Sequence, residues 1–323
     1  MAIVFASNDA ADFDVTMETH TDTNFFDPSL LSRGMRLAST SGSSNPFGIT
    51  LSEATTGDMW MHFRMSHPGV NGNADGTFLS VMDASGVDLA EFNLVNGEVA
   101  AFAYGDSNMI GSYAPLGAPD VVQTFDVKIA VGVNIEVEMY IGGALMTTAT
   151  VPNSGGKLTP RYIRFDMRDF AQVNAYYYFS EFIIADGEST LGLRLSELRP
   201  NTDGTYMDGV GTTASLSDGN SATGVTLGSV GQKRSWTPTA YAGPASPAVH
   251  SVISSAAMRI GGGDITKARH FLRIGGADYP GADKAPPEYV GPLMEVWSVN
   301  PATGLPWAEA DLSGFEAGFE ARP

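Results

Sequence analysis

The chain of 323 residues contains no cysteine, few charged residues and no long hydrophobic run. Without cysteine it forms neither disulfides nor thiolate metal sites, so stability outside a cell would have to come from packing and oligomerisation. Charged residues make up 17% of the chain, while apolar residues reach 43%, a balance that excludes a disordered chain. No stretch approaches the ~20 apolar residues of a membrane-spanning helix, so no membrane insertion is expected.

Basic residues are also scarce, because 18 lysines and arginines stand against 36 aspartates and glutamates, a net charge of −18. This balance argues against a nucleic-acid backbone or an anionic membrane as a partner. Residues 1–9 include no basic residue, and their apolar run is short, so they do not resemble a signal peptide. We therefore expect a protein made in a cytoplasm and not exported by the usual secretory route.

Helical periodicity is almost absent, and period-2 alternation separated by turn residues dominates instead. Residues 58–67 alternate cleanly, and Asn96-Gly97 joins two alternating runs as a hairpin turn would. Many short strands joined by tight turns predict an all-β protein, an antiparallel β-sandwich or jelly roll. The predicted strands of this part are 58–67, 77–83, 88–94, 98–104, 124–131, 134–141, 144–151, 161–168 and 176–185.

The composition changes after residue 187. Segment 201–247 is rich in glycine, serine and threonine, but 47 structureless residues inside a compact chain would be unusual. We expect this segment to be ordered, with a neighbouring subunit as one support. Short strands resume at 250–254, 268–274 and 293–299, and a helical turn capped by Asp311 is expected near the end. The sequence thus predicts a jelly-roll domain at 1–188 and a smaller β-rich domain for anchoring or oligomerisation at 189–323.

The first domain resembles the concanavalin A-like lectin/glucanase jelly roll of laminin-G type. The motifs that carry this resemblance occur in order along the chain. Phe13-Asp14 comes first, and a strand with Trp60 and Phe63 follows. The hairpin Leu-x-Val-x-Asp-x-x-Gly-x-x-Leu-x-x-Phe-x-Leu spans 79–94, Ile-x-Val-x-Met-Tyr-Ile-Gly-Gly spans 135–143, and a closing strand ends in Asp186-Gly187.

The remainder resembles structural proteins of tailed-phage and gene-transfer-agent particles. There a jelly roll is followed by Leu-Gly-x-x-Leu-x-x-Leu-x-Pro-x-x-Asp-Gly, which matches residues 191–204 here. The stretch from 296 to 318 also looks like the end of such a protein. This resemblance implies a virion component such as a tail fibre, head spike or decoration protein. Its partners would be other virion proteins, further copies of itself (a trimer is usual for fibres and spikes) and a host cell-surface polysaccharide.

The polar sides of three predicted strands are the main candidates for a glycan-binding face. Aromatic rings stack on the apolar faces of sugars, while charged and amide groups bind the hydroxyls. If the strands pair as the resemblance implies, three rows would share one face: Trp60, His62 and Arg64; Glu136, Glu138 and Tyr140; and Arg164, Asp166 and Arg168. A solvated face with cross-strand ion pairs, or burial against a neighbouring subunit, would produce the same pattern without any ligand.

Two weaker possibilities concern catalysis and metal binding. Glu136 and Glu138 lie on one face of a strand about 6.6 Å apart, a plausible spacing for paired catalytic carboxylates. The glucanases of this fold, however, carry Glu-x-Asp-x-x-Glu, and the aspartate is missing here. Loop 71–76 resembles the start of a calcium loop, but its twelfth position is a methionine rather than a bidentate glutamate. The calcium candidates are Asn71, Asn73 and Asp75.

These observations favour a non-enzymatic virion structural protein that binds host glycans and needs no cofactor, apart from the possible calcium. Weak sugar contacts would be multiplied by the copies on a symmetric particle. The first alternative is a purely architectural decoration or attachment subunit without a ligand. The second alternative is a polysaccharide-degrading glycoside hydrolase. Assembly in the host cytoplasm followed by release through lysis fits a chain without cysteine or a signal peptide.

Overall fold

The computed structural model describes most of the chain, and the chain divides into two compact units, Met1–Leu195 and Ser196–Pro323. The division lies at residue 195 rather than at 188 because residues 190 and 194 are bonded to side chains of unit 1. None of the described helices is long and apolar enough to cross a membrane. The described residues are 2–13, 17–39, 46–67, 75–95, 98–105, 109–115, 118, 120–166, 175–217, 223–286 and 291–323.

Unit 1 consists of two antiparallel sheets. In the first sheet the strand order is β12-β11-β10-β5-β14-β3-β2, and β1 also pairs with β14. Its strands are β1 (Ala2–Ser7), β2 (Glu18–His20), β3 (Gly34–Ser39), β5 (Met59–Ser66), β10 (Gln123–Val131), β11 (Asn134–Ile141), β12 (Ala144–Pro152) and β14 (Ala175–Asp186).

The second sheet has the order β4-β13-β6-β7-β8-β9. It contains the three-stranded meander that the hairpin signals predict. Its strands are β4 (Phe47–Thr50), β6 (Asp75–Asp83), β7 (Asp88–Val95), β8 (Glu98–Tyr104), β9 (Met109–Pro115) and β13 (Pro160–Phe165).

Aromatic side chains from both sheets interlock between them. Phe63 of β5 meets Phe165 of β13 edge-to-face at 5.3 Å, and Phe47 of β4 meets Phe179 of β14 at 5.2 Å. All four rings are fully buried. Because burial of large rings contributes the most apolar area per residue, this layer forms the centre of the core. The predicted all-β antiparallel sandwich is confirmed.

Unit 2 is a smaller β-rich unit, as predicted. A five-stranded sheet has the order β15-β16-β21-β18-β19, and a two-stranded sheet pairs β17 with β20. Trp236, Leu272, Trp297 and Trp307 belong to one buried cluster of this unit. The strands are β15 (Pro200–Met207), β16 (Lys233–Pro238), β17 (Val252–Met258), β18 (Lys267–Ile274), β19 (Ala277–Pro280), β20 (Gly291–Trp297) and β21 (Phe315–Arg322).

One expectation for unit 2 is met and one needs correction. Segment 201–247 contains β15 and β16, which pair with strands of the same chain, so its described part includes ordered strands as expected. The helical turn expected from Asp311 onward is instead a 3-10 helix at Glu309–Leu312 that precedes β21. The alternation of Phe315, Ala317 and Phe319 is the signal for β21, because all three side chains point into the core.

A buried histidine makes the stability of unit 2 depend on pH. His270 is 1% exposed, lies 2.7 Å from the Ser254 hydroxyl, and contacts the Leu293 carbonyl through Nε2 at 3.0 Å. Burial lowers the pKa of His270 from 6.5 to about 4. Between these values the unfolded chain binds more protons than the folded one, so His270 makes unit 2 less stable as the pH falls through this window.

We therefore expect the His270 contribution to the free energy of unfolding to fall with decreasing pH, by up to ~1.4 kcal/mol per pH unit. Comparing this pH dependence in the wild type and in His270→Gln isolates the histidine from the carboxylates, which titrate in both proteins. An NMR titration of the wild-type His270 ring measures the same pKa directly and does not depend on the variant folding. A ring that titrates near 6.5 would contradict the prediction.

Candidate functional site

The candidate site lies on the outer face of the first sheet of unit 1. Along β5, the side chains of Met59, Met61, Phe63 and Met65 are fully buried in the sandwich. Period-2 alternation therefore turns Trp60, which is partly exposed, to the opposite face. The predicted inward and outward sides of this strand are confirmed.

Strand β10 separates the two candidate rows of this face. It pairs with β5 on one side and β11 on the other, so Lys128 lies beside both Trp60 and Glu138 in register. Likewise Ala130 lies beside Glu136. Trp60, Glu136, Glu138 and Tyr140 thus share one face, as the sequence predicts, but Lys128 stands between them.

Two aromatic rings lie together on this face. The ring centroids of Trp60 and Tyr140 are 5.8 Å apart, with 34° between the planes. The Tyr140 hydroxyl donates a hydrogen bond to Glu138, and this bond raises the pKa of Tyr140 to about 12. The hydroxyl therefore remains protonated at neutral pH. We call this pair of rings the ring platform.

A shallow pocket of 240 Å³ opens at the β10–β11 turn, near the ring platform. The side chains of Asp58, Ala130 and Glu136 line it, and the turn 131–134 completes its wall. Lys128 lies 3.5 Å from a carboxylate oxygen of Asp58 and 3.6 Å from one of Glu138. We call this pocket the acidic notch.

His62 does not take part in an open site. Its Nδ1 lies 2.9 Å from Asp126, and both side chains are 1% exposed. The Thr190 hydroxyl donates a second hydrogen bond to the same Asp126 oxygen at 2.8 Å, and Thr190 is also buried. The prediction that His62 faces a ligand is therefore wrong, because a buried hydrogen-bonded pair leaves no surface for a sugar.

Arg64 is likewise engaged within the protein. It donates to the fully buried carboxylate of Glu181 at 3.0 Å. Arg194 donates two more hydrogen bonds to Glu181, at 2.7 and 2.9 Å, and one to Asp27 at 2.9 Å. Buried charges need such partners, so Arg64 has a structural role here.

The third predicted row is not on this face. Arg164 lies on β13, which pairs with β4 and β6 in the second sheet, and the inward side of β13 carries Ile163 and Phe165. Arg164 contacts Asp166 at 3.2 Å on the outer side of that sheet. The expectation of one common face fails because it assigned β13 to the wrong sheet. Arg168 lies outside the described residues.

The calcium candidates receive no structural description as a set. Asn71 and Asn73 lie outside the described residues, and Asp75 is the first residue of β6 with an undescribed side chain. Within the described ranges, no group of three or more histidines, aspartates and glutamates could hold a metal ion.

Sequence reasoning missed Lys128, Asp58 and Ala130. The alternation of the predicted strand 124–131 already placed Lys128 and Ala130 on one side of β10. The missing information was strand order, because only the pairing of β10 with both β5 and β11 brings these residues between the two rows.

No protein-family model matches the chain, and no curated protein matches it either. Among solved structures it is similar to the receptor binding domain of botulinum neurotoxin C/D mosaic serotype, with 10% identity, a TM-score of 0.43, and coverage of 57% of this chain and 47% of that one. It is also similar to the endo-β-1,4-glucuronan lyase of the fungus Trichoderma reesei, with 8% identity, a TM-score of 0.43, and coverage of 57% and 95%. The chain thus spans about half the length of the receptor-binding domain. The fold assignment rests on the sheets of this chain itself.

Proposed function

We propose that this protein is a non-enzymatic glycan-binding protein whose binding surface is the ring platform with the adjoining acidic notch. The observation that carries the proposal is the pairing of Trp60 and Tyr140 beside a pocket lined by carboxylates. Ring faces stack on the apolar faces of pyranoses, and carboxylate oxygens accept hydrogen bonds from sugar hydroxyls. A shallow open surface of this kind suits an extended saccharide.

The positions of the carboxylates favour binding over hydrolysis. Glu136 and Glu138 lie on the same strand and the same face, rather than on opposite sides of a cleft. Glu138 is also bonded to Tyr140 and lies near Lys128. A glycosidase needs two carboxyl groups that flank the scissile bond, one as acid and the other as nucleophile or base. Two neighbouring carboxylates on a flat sheet would contact the same side of the sugar.

We expect Trp60→Ala to weaken binding of the glycan that the wild type binds best by at least about tenfold, because the substitution removes the ring on which the sugar stacks. A glycan array followed by titration calorimetry measures this loss. Tyr113→Ala is the matched control, since Tyr113 is a 55% exposed ring on the second sheet. Equal losses in both variants, or no loss in Trp60→Ala, would contradict the proposal.

The wider setting that we propose is the surface of a tailed-phage or gene-transfer-agent particle, on the strength of the sequence resemblance at 191–204. Copies around a symmetric particle would multiply weak sugar contacts through effective concentration. In the architectural alternative the same face is covered by a neighbouring subunit. Light scattering on Trp60→Ala separates the two: a lost oligomer supports the architectural role, and lost sugar binding with an unchanged oligomer supports the glycan-binding role.

A further inference from the structure

The acidic notch and the ring platform form adjacent rows on one face. Ala130 lies beside Glu136 in register, and with its short side chain it lines the gap of the acidic notch together with Asp58 and Glu136. Two residues before Ala130 on β10, Lys128 lies between Trp60 and Glu138. A saccharide unit stacked on Trp60 would therefore place its neighbouring substituents over the notch.

The charges around this gap are unbalanced. Asp58 and Glu136 line the notch and no lysine or arginine is among its lining residues, while Lys128 is shared between Asp58 and Glu138. Lys128 lies near Asp58 and Glu138, at separations longer than a normal hydrogen bond. The Glu136 carboxylate forms no ion pair or hydrogen bond with any residue that the structure describes, although its side chain is partly buried.

Partial burial makes an unpaired carboxylate attract a cation more strongly than a fully solvated one does. Lys128 shows that an ammonium group is accommodated beside Asp58, since its Nζ lies 3.5 Å from that carboxylate and its side chain is 19% exposed. A ligand ammonium could occupy the gap over Ala130 and reach Glu136 and Asp58 from the solvent side. The adjoining ring platform supplies the apolar contact that a simple inorganic cation would not use.

We infer that the glycan bound here contains an amino sugar with a free, protonated amine, a conclusion that rests on the proposed glycan-binding function. The amine would contact Glu136 and Asp58, while the sugar ring stacks on Trp60. N-acetylation removes the positive charge and so removes this contact. A uronate brings a negative charge to an already negative site and is repelled.

The test compares three oligosaccharides of equal length by calorimetry at low salt and mildly acidic pH: oligoglucosamine, its fully N-acetylated form, and oligoglucuronate. We expect oligoglucosamine to bind about fivefold to tenfold more tightly than the N-acetylated form, as two partly exposed charge contacts would allow. Oligoglucuronate should bind most weakly. Glu136→Gln should remove most of the preference for the free amine, measured as the ratio of the two dissociation constants in the same variant.

The exposed Glu53 provides a matched control, since Glu53→Gln removes one negative charge from the same unit without touching the site. If Glu53→Gln reduces the preference as much as Glu136→Gln does, net charge alone explains it and the inference is wrong. If free and N-acetylated forms bind equally and Trp60→Ala abolishes both, the amino-sugar inference is wrong while the proposed function stands. If none of the three binds, the amino-sugar inference is wrong, and the glycan array with wild type and Trp60→Ala decides the proposed function separately.

Discussion

Replacing Glu181 with alanine is expected to destabilise unit 1 by about 2–3 kcal/mol, the range for losing hydrogen bonds to a charged group, because the two arginines left behind are partly solvated. The Glu181 carboxylate is fully buried and accepts hydrogen bonds from Arg64 and from Arg194. The Leu195 amide also points at this carboxylate, at 3.3 Å. Without it, Arg64, whose side chain is 21% exposed, loses its carboxylate partner, whereas the exposed Arg194 keeps only Asp27.

The Glu181 carboxylate stabilises unit 1, whereas the backbone conformation at the same residue destabilises it. Its φ is +57°, in the left-handed region that costs a non-glycine residue roughly 1–2 kcal/mol. The strand carries a bulge here, since β14 advances from Ser180 to Ile183 while β5 advances only from Arg64 to His62. This extra residue returns Phe182 to the core, where its ring is fully buried.

These two contributions can be measured separately. Glu181→Ala loses the carboxylate and keeps the strain, whereas Glu181→Gly loses the carboxylate and relieves the strain. We therefore expect the glycine variant to be about 1 kcal/mol more stable than the alanine variant, although still less stable than the wild type. Hydrogen-exchange mass spectrometry in urea measures both, because it reports protection separately for peptides of each unit.

Glu53→Ala is the control, because Glu53 is an exposed carboxylate of the same unit. It should change protection by no more than about 0.5 kcal/mol. A Glu181→Ala protein with wild-type protection of β5 and β14 would show that the buried ion pairs contribute no net stability.

Gly318→Ala is expected to destabilise unit 2 by about 2 kcal/mol or more through overpacking. A Cβ at this position would lie 2.5 Å from the backbone oxygen of Arg234 and 2.5 Å from the ring of Phe271. Gly318 pairs with Ser235 on one side and with Phe271 on the other, in the middle of the five-stranded sheet. The Phe271 ring therefore occupies the space that a side chain at 318 would need.

The Phe271 ring has little room to move. It is 1% exposed, meets the Tyr206 ring edge-to-face at 5.7 Å, and has the Lys233 ammonium 5.4 Å from its centroid. Displacing the ring would break these contacts, and the Arg234 carbonyl is held by the sheet. Urea unfolding followed by tryptophan emission measures the loss, because three of the four tryptophans lie in unit 2.

Gly261→Ala provides the comparison, since a Cβ at Gly261 would meet nothing within 4 Å and its φ is not in the left-handed region. We expect this substitution to be neutral or slightly stabilising, because it reduces the entropy of the unfolded chain. In a Phe271→Leu background, Gly318→Ala should lower the free energy of unfolding by less, since a side chain at 318 and the Phe271 ring compete for the same volume. If Gly318→Ala lowers the free energy of unfolding equally in both backgrounds, the Phe271 ring is not the cause of the destabilisation.

Local sequence signals located the strands that alternate clearly. Strands β5, β7, β8, β10 and β11 lie within a residue or two of their predicted bounds. Strands with weak alternation, such as β2 and β9, were missed, and β21 was missed although its alternation is clear. Alternation also assigned the sides of β5 and β11 correctly, because side-chain direction in a strand depends only on the position along it.

The candidate site shows where this reasoning stops. Trp60, Glu138 and Tyr140 lie on one face, as the alternation predicts, but the prediction also placed Arg164 there although β13 belongs to the opposite sheet. His62 was expected at the surface, whereas Asp126 and Thr190 bury it. These errors have one origin, since alternation specifies a side but not which sheet a strand joins or which segment later covers it.

The amino-acid sequence by itself determined the all-β class, the antiparallel connections, the acidic surface and the two-sided character of each strand, since these follow from local patterns of polarity and turn residues. Only the tertiary structure decided that β10 separates Trp60 from Glu138, that Lys128 stands between them, and that Glu181 is buried at a bulge with two arginines. Each of those features includes at least one contact between residues more than sixty positions apart, such as Lys128 with Trp60 or Arg64 with Glu181. Long-range pairing is chosen by the packing of the whole unit, so no short stretch of sequence encodes it.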